Sequence, residues 1–98
     1  MTKTILVKPL ALKNIQKAYS WYEIQLNGLG EQFIDEWEST ANHILLYADT
    51  YPKKYKSFRQ AILKRFPYVI IYEIEEKHIV IYNVINMKRS LKKRFRKK

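Results

Sequence analysis

Apolar residues in this chain recur first with the period of a helix and later with that of a strand. From Leu10 to about Asn27, Ala11, Ile15, Ala18 and Tyr22 fall at i, i+4, i+7 and i+11, marking one buried helical face. Asn27-Gly28 is a natural stop, because glycine accepts the left-handed conformation that ends helices. A second helix is predicted to begin between Gly28 and Glu31 and run to about Ala48, with Phe33, Ile34, Trp37, Ala41, Ile44, Leu45 and Ala48 keeping the helical period. Asp49-Thr50-Tyr51-Pro52 ends it, and the short link makes the two helices an antiparallel hairpin. Thr4–Lys8 reads as a first strand, closed by Pro9. After the hairpin the pattern predicts strands over Tyr55–Lys64, Tyr68–Glu75 and His78–Ile85, the last two joined by the acidic turn Glu75-Glu76-Lys77. The predicted order is β-α-α-β-β-β, an α+β fold with the hairpin on one face of a small, mostly antiparallel sheet.

The last predicted strand does not alternate. Ile79, Val80, Ile81, Tyr82, Val84 and Ile85 make it apolar at almost every position, a pattern that calls for cover on both faces. Two helices can cover one face, so the other is expected to receive a partner.

Composition narrows the possibilities. Ninety-eight residues, 47% of them hydrophobic, support one folded domain. The domain is expected over 1–89, with a basic tail over 90–98. The absence of cysteine removes disulfides and thiolate chemistry. Neither a signal peptide nor a membrane-spanning stretch is expected, and the cytoplasm is the expected compartment. His43 and His78 have no ligand-like companions nearby, so neither a metal nor a cofactor is expected. Glu73 and Glu75, two apart on one strand, read as the edge of a charged turn rather than a paired-carboxylate site. Gly28-Leu29-Gly30 reads as a helix link, since it lacks the lysine and third glycine of a phosphate loop. Trp21, Tyr22, Trp37, Tyr68, Tyr72 and Tyr82 fall at core or sheet positions.

Charge is more telling. The formal net charge is +10, yet residues 88–98 hold eight basic side chains and no acid, leaving the body near +2. Lys53, Lys54, Lys56, Arg59, Lys64 and Arg65 form a second basic group. Such density fits a solvated surface or a footprint for phosphates or an acidic protein. The phosphate- or target-binding candidates are Arg59, Lys64, Arg65, Lys88, Arg89, Lys92, Lys93 and Arg94.

Trp21-Tyr22-Glu23, Gly28-Leu29-Gly30 with Phe33, Pro52, Arg59, and Lys64-Arg65-Phe66-Pro67-Tyr68 with Tyr72 together resemble the RelE/ParE toxin superfamily. The similarity runs from the first strand to about Arg89. It implies the toxin of a bacterial type II toxin–antitoxin, or plasmid stabilisation, module. It also implies the fold read above, with the open sheet surface taking the antitoxin. The residues assigned to antitoxin binding on that basis are Tyr72, Val80, Tyr82 and Val84. RelE-like members cut mRNA on the ribosome, whereas ParE-like members poison DNA gyrase and need no nuclease chemistry.

Where RelE-like nucleases carry an arginine after the first tyrosine of the third strand, this chain has Val69, which cannot stabilise a phosphate. Arg89 matches their basic residue at the end of the last strand, with Lys88 before it. Their C-terminal tyrosine falls near Phe95, which has no hydroxyl to move a proton. A nuclease would have to rely on Arg89, Lys88, Arg65 and Lys64, with a lysine of lowered pKa as base. The resemblance therefore implies gyrase as the target and, as alternatives, a ribosome-dependent mRNA endonuclease or a non-toxic basic binding module. A basic tail can add non-specific nucleic-acid contacts.

Overall fold

The computed structural model describes residues 3–88. Its elements are β1 (Thr4–Val7), α1 (Pro9–Gln25), α2 (Leu29–Tyr47), β2 (Lys53–Tyr55), β3 (Phe58–Ile62), β4 (Tyr68–Ile74) and β5 (His78–Asn86), with a short 3-10 turn at Ala48–Thr50. The strands lie in the order β1-β5-β4-β3-β2. β1 runs parallel to β5, and every other pair is antiparallel. The helical hairpin covers one face of this mixed sheet, so the α+β architecture expected from the sequence is the one observed.

Pro9 both closes β1 and opens α1, because a missing N–H costs nothing in the first turn of a helix. α1 buries Ala11, Ile15, Ala18 and Tyr22, the four positions its period marks. α2 buries Gly30, Phe33, Ala41 and Ile44. At one end of the sandwich the rings of Tyr22, Phe33, Phe66 and Tyr68 pack with centroids 4.8–6.2 Å apart. Trp21, expected inside, lies on the surface at 55% exposure, beside rather than on the buried stripe.

The helix link gives Glu23, Gly28 and Gly30 a structural role. Glu23 reaches from α1 to the start of α2, where its two carboxylate oxygens accept the N–H groups of Gly28 and Gly30, each at 2.9 Å. It thereby satisfies amides that a helix N-terminus leaves unpaired, and places a negative charge at the positive end of the dipole. Gly28 turns the chain at φ +91°. Gly30 is required for a different reason: a Cβ there would stand 2.7 Å from the Tyr19 carbonyl oxygen. Glu23→Ala is expected to cost about 1–2 kcal/mol, read as a lowered unfolding midpoint in urea.

Two features depart from the sequence expectation. The predicted strand Tyr55–Lys64 is broken at Lys56, whose φ of +51° reverses the chain into the hairpin β2–β3. No glycine or asparagine signals this turn. The sheet thus has five strands rather than the four predicted. The second departure is a bulge: Tyr72 pairs with Ile81 but Ile71 pairs with Asn83, leaving Tyr82 as the extra residue. It explains how Ile81 and Val84, three apart, both belong to the helix-facing core. Asn83 accepts hydrogen bonds from Asn14 Nδ2 and the Val84 N–H at this bend.

Candidate functional site

The sheet face away from the helices carries Leu6 of β1, Phe58, Gln60 and Ile62 of β3, Val69, Ile71 and Glu73 of β4, and Val80, Tyr82 and Ile85 of β5. These positions alternate with the helix-facing set Ile5, Val7, Ala61, Ile70, Tyr72, Ile74, Ile79 and Ile81. Val80 pairs with Leu6 on one side and Glu73 on the other, and is only 2% exposed without any partner chain. Tyr82, displaced by the bulge, meets Phe58 edge-on at 5.2 Å, and the Lys8 ammonium lies 5.8 Å above its ring. Part of the apolar run in β5 is therefore spent on the bulge and on self-cover. Tyr82, Phe58, Ile71 and Ile85 remain half-buried on this open face.

The four residues assigned to antitoxin binding divide between the faces. Val80 and Tyr82 lie on the open side. Tyr72 and Val84 do not: both are core residues, 0% and 1% exposed. Tyr72 points under α2, where its hydroxyl donates to the Ala48 carbonyl at 2.5 Å. Burial first, then Tyr51 and Asp49, push its phenol up to about 12 against the lowering effect of Arg59. The sequence reading finds β5 apolar at almost every position, which leaves no means of separating its faces. Leu6, Phe58 and Ile71 were missed, although strict alternation from Val80 through the paired strands places them.

Charge is distributed unevenly along the sheet. Lys64 and Arg65, before β4, and Lys88, after β5, gather at one end, held together where the Met87 N–H donates to Pro67 O at 2.7 Å. Glu73, Glu75 and Glu76 occupy the opposite end. There Ser57 Oγ donates to Glu73. Burial, then the charges of Glu73 and Glu75 and a hydrogen bond to Glu73, raise the Tyr82 phenol above its usual value.

Two basic candidates serve the fold. Arg59 projects to the helix side, and its Nη1 donates to the carbonyls of Tyr51 and Asp49 at 2.6 and 3.3 Å, satisfying the chain end beyond α2. Arg65 pairs through Nε with Glu36 Oε1 at 3.1 Å, and the backbone N–H groups of Lys64 and Arg65 both donate to Glu36 Oε2. The Arg65 side chain stays 60% exposed, whereas Glu36 is 10% exposed. Arg89, Lys92, Lys93 and Arg94 lie outside the described residues.

Burial would raise the Glu36 carboxyl, but hydrogen bonds from Arg65 and Lys64 and the Arg65 charge outweigh it and hold the group below its ordinary value. Its folded pKa is thus depressed. The contact stabilises fully above the ordinary value of 4.5 and is lost as pH falls through the lower folded value. Glu36→Gln is expected to flatten the acid limb of a thermal-stability profile below about pH 4.5. A profile unchanged from the parent would contradict this assignment.

A groove of about 570 Å³ opens between α2 and the end of β3, lined by residues that include Glu36, His43, Tyr51, Lys64 and Arg65. His43 Nδ1 and the Tyr51 hydroxyl are 2.5 Å apart there. Asp35 and Glu36 in the same wall oppose an incoming phosphate. Among the described residues no three His, Cys, Asp or Glu side chains are grouped to hold a metal ion.

This arrangement of a helical hairpin on a five-stranded mixed sheet is matched by known proteins. The family model for the ParE toxin of type II toxin–antitoxin systems, parDE, matches residues 5–91. The chain belongs to the ParE toxin family. A solved structure described as the chromosomal ParDE TA system from P. aeruginosa superposes with a TM-score of 0.78. The match covers 87% of this chain and 96% of that one at 13% identity, a likeness of fold. No curated protein matches the sequence. As a ParE toxin, the chain has an antitoxin for its partner. Among the described residues, no helix is long and apolar enough to cross a membrane.

Proposed function

We propose that this ParE toxin poisons DNA gyrase in the cytoplasm, performs no nuclease chemistry, and serves a plasmid-stabilisation or similar addiction module. The observation that carries the proposal is Val69. At the strand position where RelE-like nucleases hold an arginine stands an aliphatic side chain, 7% exposed on the open face. An aliphatic group neither moves a proton nor offsets charge developing on a phosphate. Arg59 of β3 projects to the helix side and is committed to the carbonyls beyond α2.

The antitoxin covers the open face, with apolar side chains over Tyr82, Phe58 and Ile71 and acidic ones toward Lys64, Arg65 and Lys88. Those interactions suit a chain whose net charge is +10. Lys64, Lys88 and the exposed part of Arg65, with Arg89, Lys92, Lys93 and Arg94, supply contacts to gyrase-bound DNA that weaken as salt rises. Incubating the purified toxin with gyrase and supercoiled plasmid tests the reading. Accumulation of cleaved DNA, relieved by the antitoxin, is expected. Unchanged gyrase activity alongside cleavage of ribosome-bound mRNA would overturn it.

A further inference from the structure

α1 carries large apolar side chains on the side that it does not bury. Leu10, Trp21 and Ile24 are 53%, 55% and 81% exposed. With Lys13 and Lys17, also exposed, they fall at i, i+3, i+7, i+11 and i+14, so all five share one helical face. The other sides of the helix are taken. Ala11, Ile15, Ala18 and Tyr22 enter the core. Asn14 donates to Asn83 of β5, and Glu23 turns to α2, where it binds the amides of Gly28 and Gly30. Glu23 is the sole carboxylate of α1, so nothing on the outer face of the helix offsets its two lysines. Among the described residues neither lysine enters a salt bridge. This face belongs to the helical layer, on the other side of the molecule from the open sheet face.

We infer that the outer face of α1 holds the gyrase protein, docking an acidic helical segment of it, while the basic rim holds the DNA. The inference rests on the gyrase reading proposed above. Leu10 to Ile24 spans about 21 Å at 1.5 Å per residue, room for a helix of about four turns laid alongside. Trp21 and Ile24, three apart, are the anchors, and buried aromatic anchors carry most of the energy of protein interfaces. Lys13 and Lys17 lie between them and Leu10 and call for carboxylates on the partner. A second copy of this chain is a poor occupant, because a two-fold contact would set these lysines against their own copies. The antitoxin has the open sheet face, where Tyr82 and Phe58 await cover.

Calorimetric titration of the full-length toxin into purified gyrase without DNA tests this. Trp21→Ala is expected to weaken binding by about 30-fold and Lys17→Glu by about tenfold. Both variants should bind the antitoxin as the parent does, which also reports that they fold. If the parent binds and poisons gyrase and both variants bind it equally well, the α1 surface is wrong and the gyrase reading stands. If the parent neither binds gyrase nor traps cleaved DNA with it, both are wrong. Poisoning by a parent that binds gyrase only when DNA is present would overturn the α1 surface alone. So would an equal loss of antitoxin affinity in the variants, or a toxin dimer that Trp21→Ala dissociates, since either gives the face to another occupant.

Discussion

Replacing Phe33 by alanine is expected to remove about 3–5 kcal/mol of stability, the largest loss of any single truncation considered. Phe33 is 0% exposed and stands at the centre of the aromatic group, stacked on Tyr22 and edge-on to Phe66 and Tyr68. The neighbours belong to α1, to the turn before β4 and to β4 itself, so no single element can collapse into the space. Small domains have only about 5–15 kcal/mol in total, so the variant loses a large share of its stability. Urea unfolding of the purified chain measures the loss. A cost below about 1 kcal/mol would mean that the hairpin and sheet are not joined through this cluster.

The second large effect is expected on binding rather than folding. Tyr82→Ala should weaken antitoxin binding by on the order of 30-fold or more, as truncating a central aromatic anchor does. Tyr82 is half-exposed and borders both Phe58 and Lys8 on the open face, so its loss strips the surface while the helix-facing core stays intact. Tyr72→Phe is the matched control. It deletes the hydroxyl that donates to Ala48 O on the helix side, and should cost about 1 kcal/mol of stability while leaving affinity unchanged. Calorimetric titration with the antitoxin reads both variants. Equal affinity for Tyr82→Ala and the parent would place the antitoxin elsewhere.

Periodicity was enough to read the hairpin. Ala11, Ile15, Ala18 and Tyr22 mark one stripe of α1, and the structure buries all four. The strands were legible in number only in part. β2–β3 turns at Lys56 through a backbone conformation that lysine seldom adopts, and turn prediction relies on glycine and asparagine. The faces of β5 were illegible for a related reason. A bulge at Tyr82 shifts the alternation by one residue, and its partner offset between Ile71 and Tyr72 exists only once the strands are paired.

Long-range electrostatics followed the same rule. The basic string Lys64-Arg65 was visible, but Glu36, which binds both of its backbone amides, lies far away in α2. Arg59 likewise read as a phosphate ligand because nothing local showed that the carbonyls of Asp49 and Tyr51 would claim it. Glu23 and the two glycines of the link resemble a family string in the sequence. Their joint role as a cap appeared only with α1 and α2 side by side.

Labelled thymidine and methionine incorporation in bacteria, after induced expression of this chain without its antitoxin, tests the central claim most directly. Thymidine incorporation falling first is the result expected of a gyrase poison. Methionine incorporation falling first would contradict that account and place the target at the ribosome.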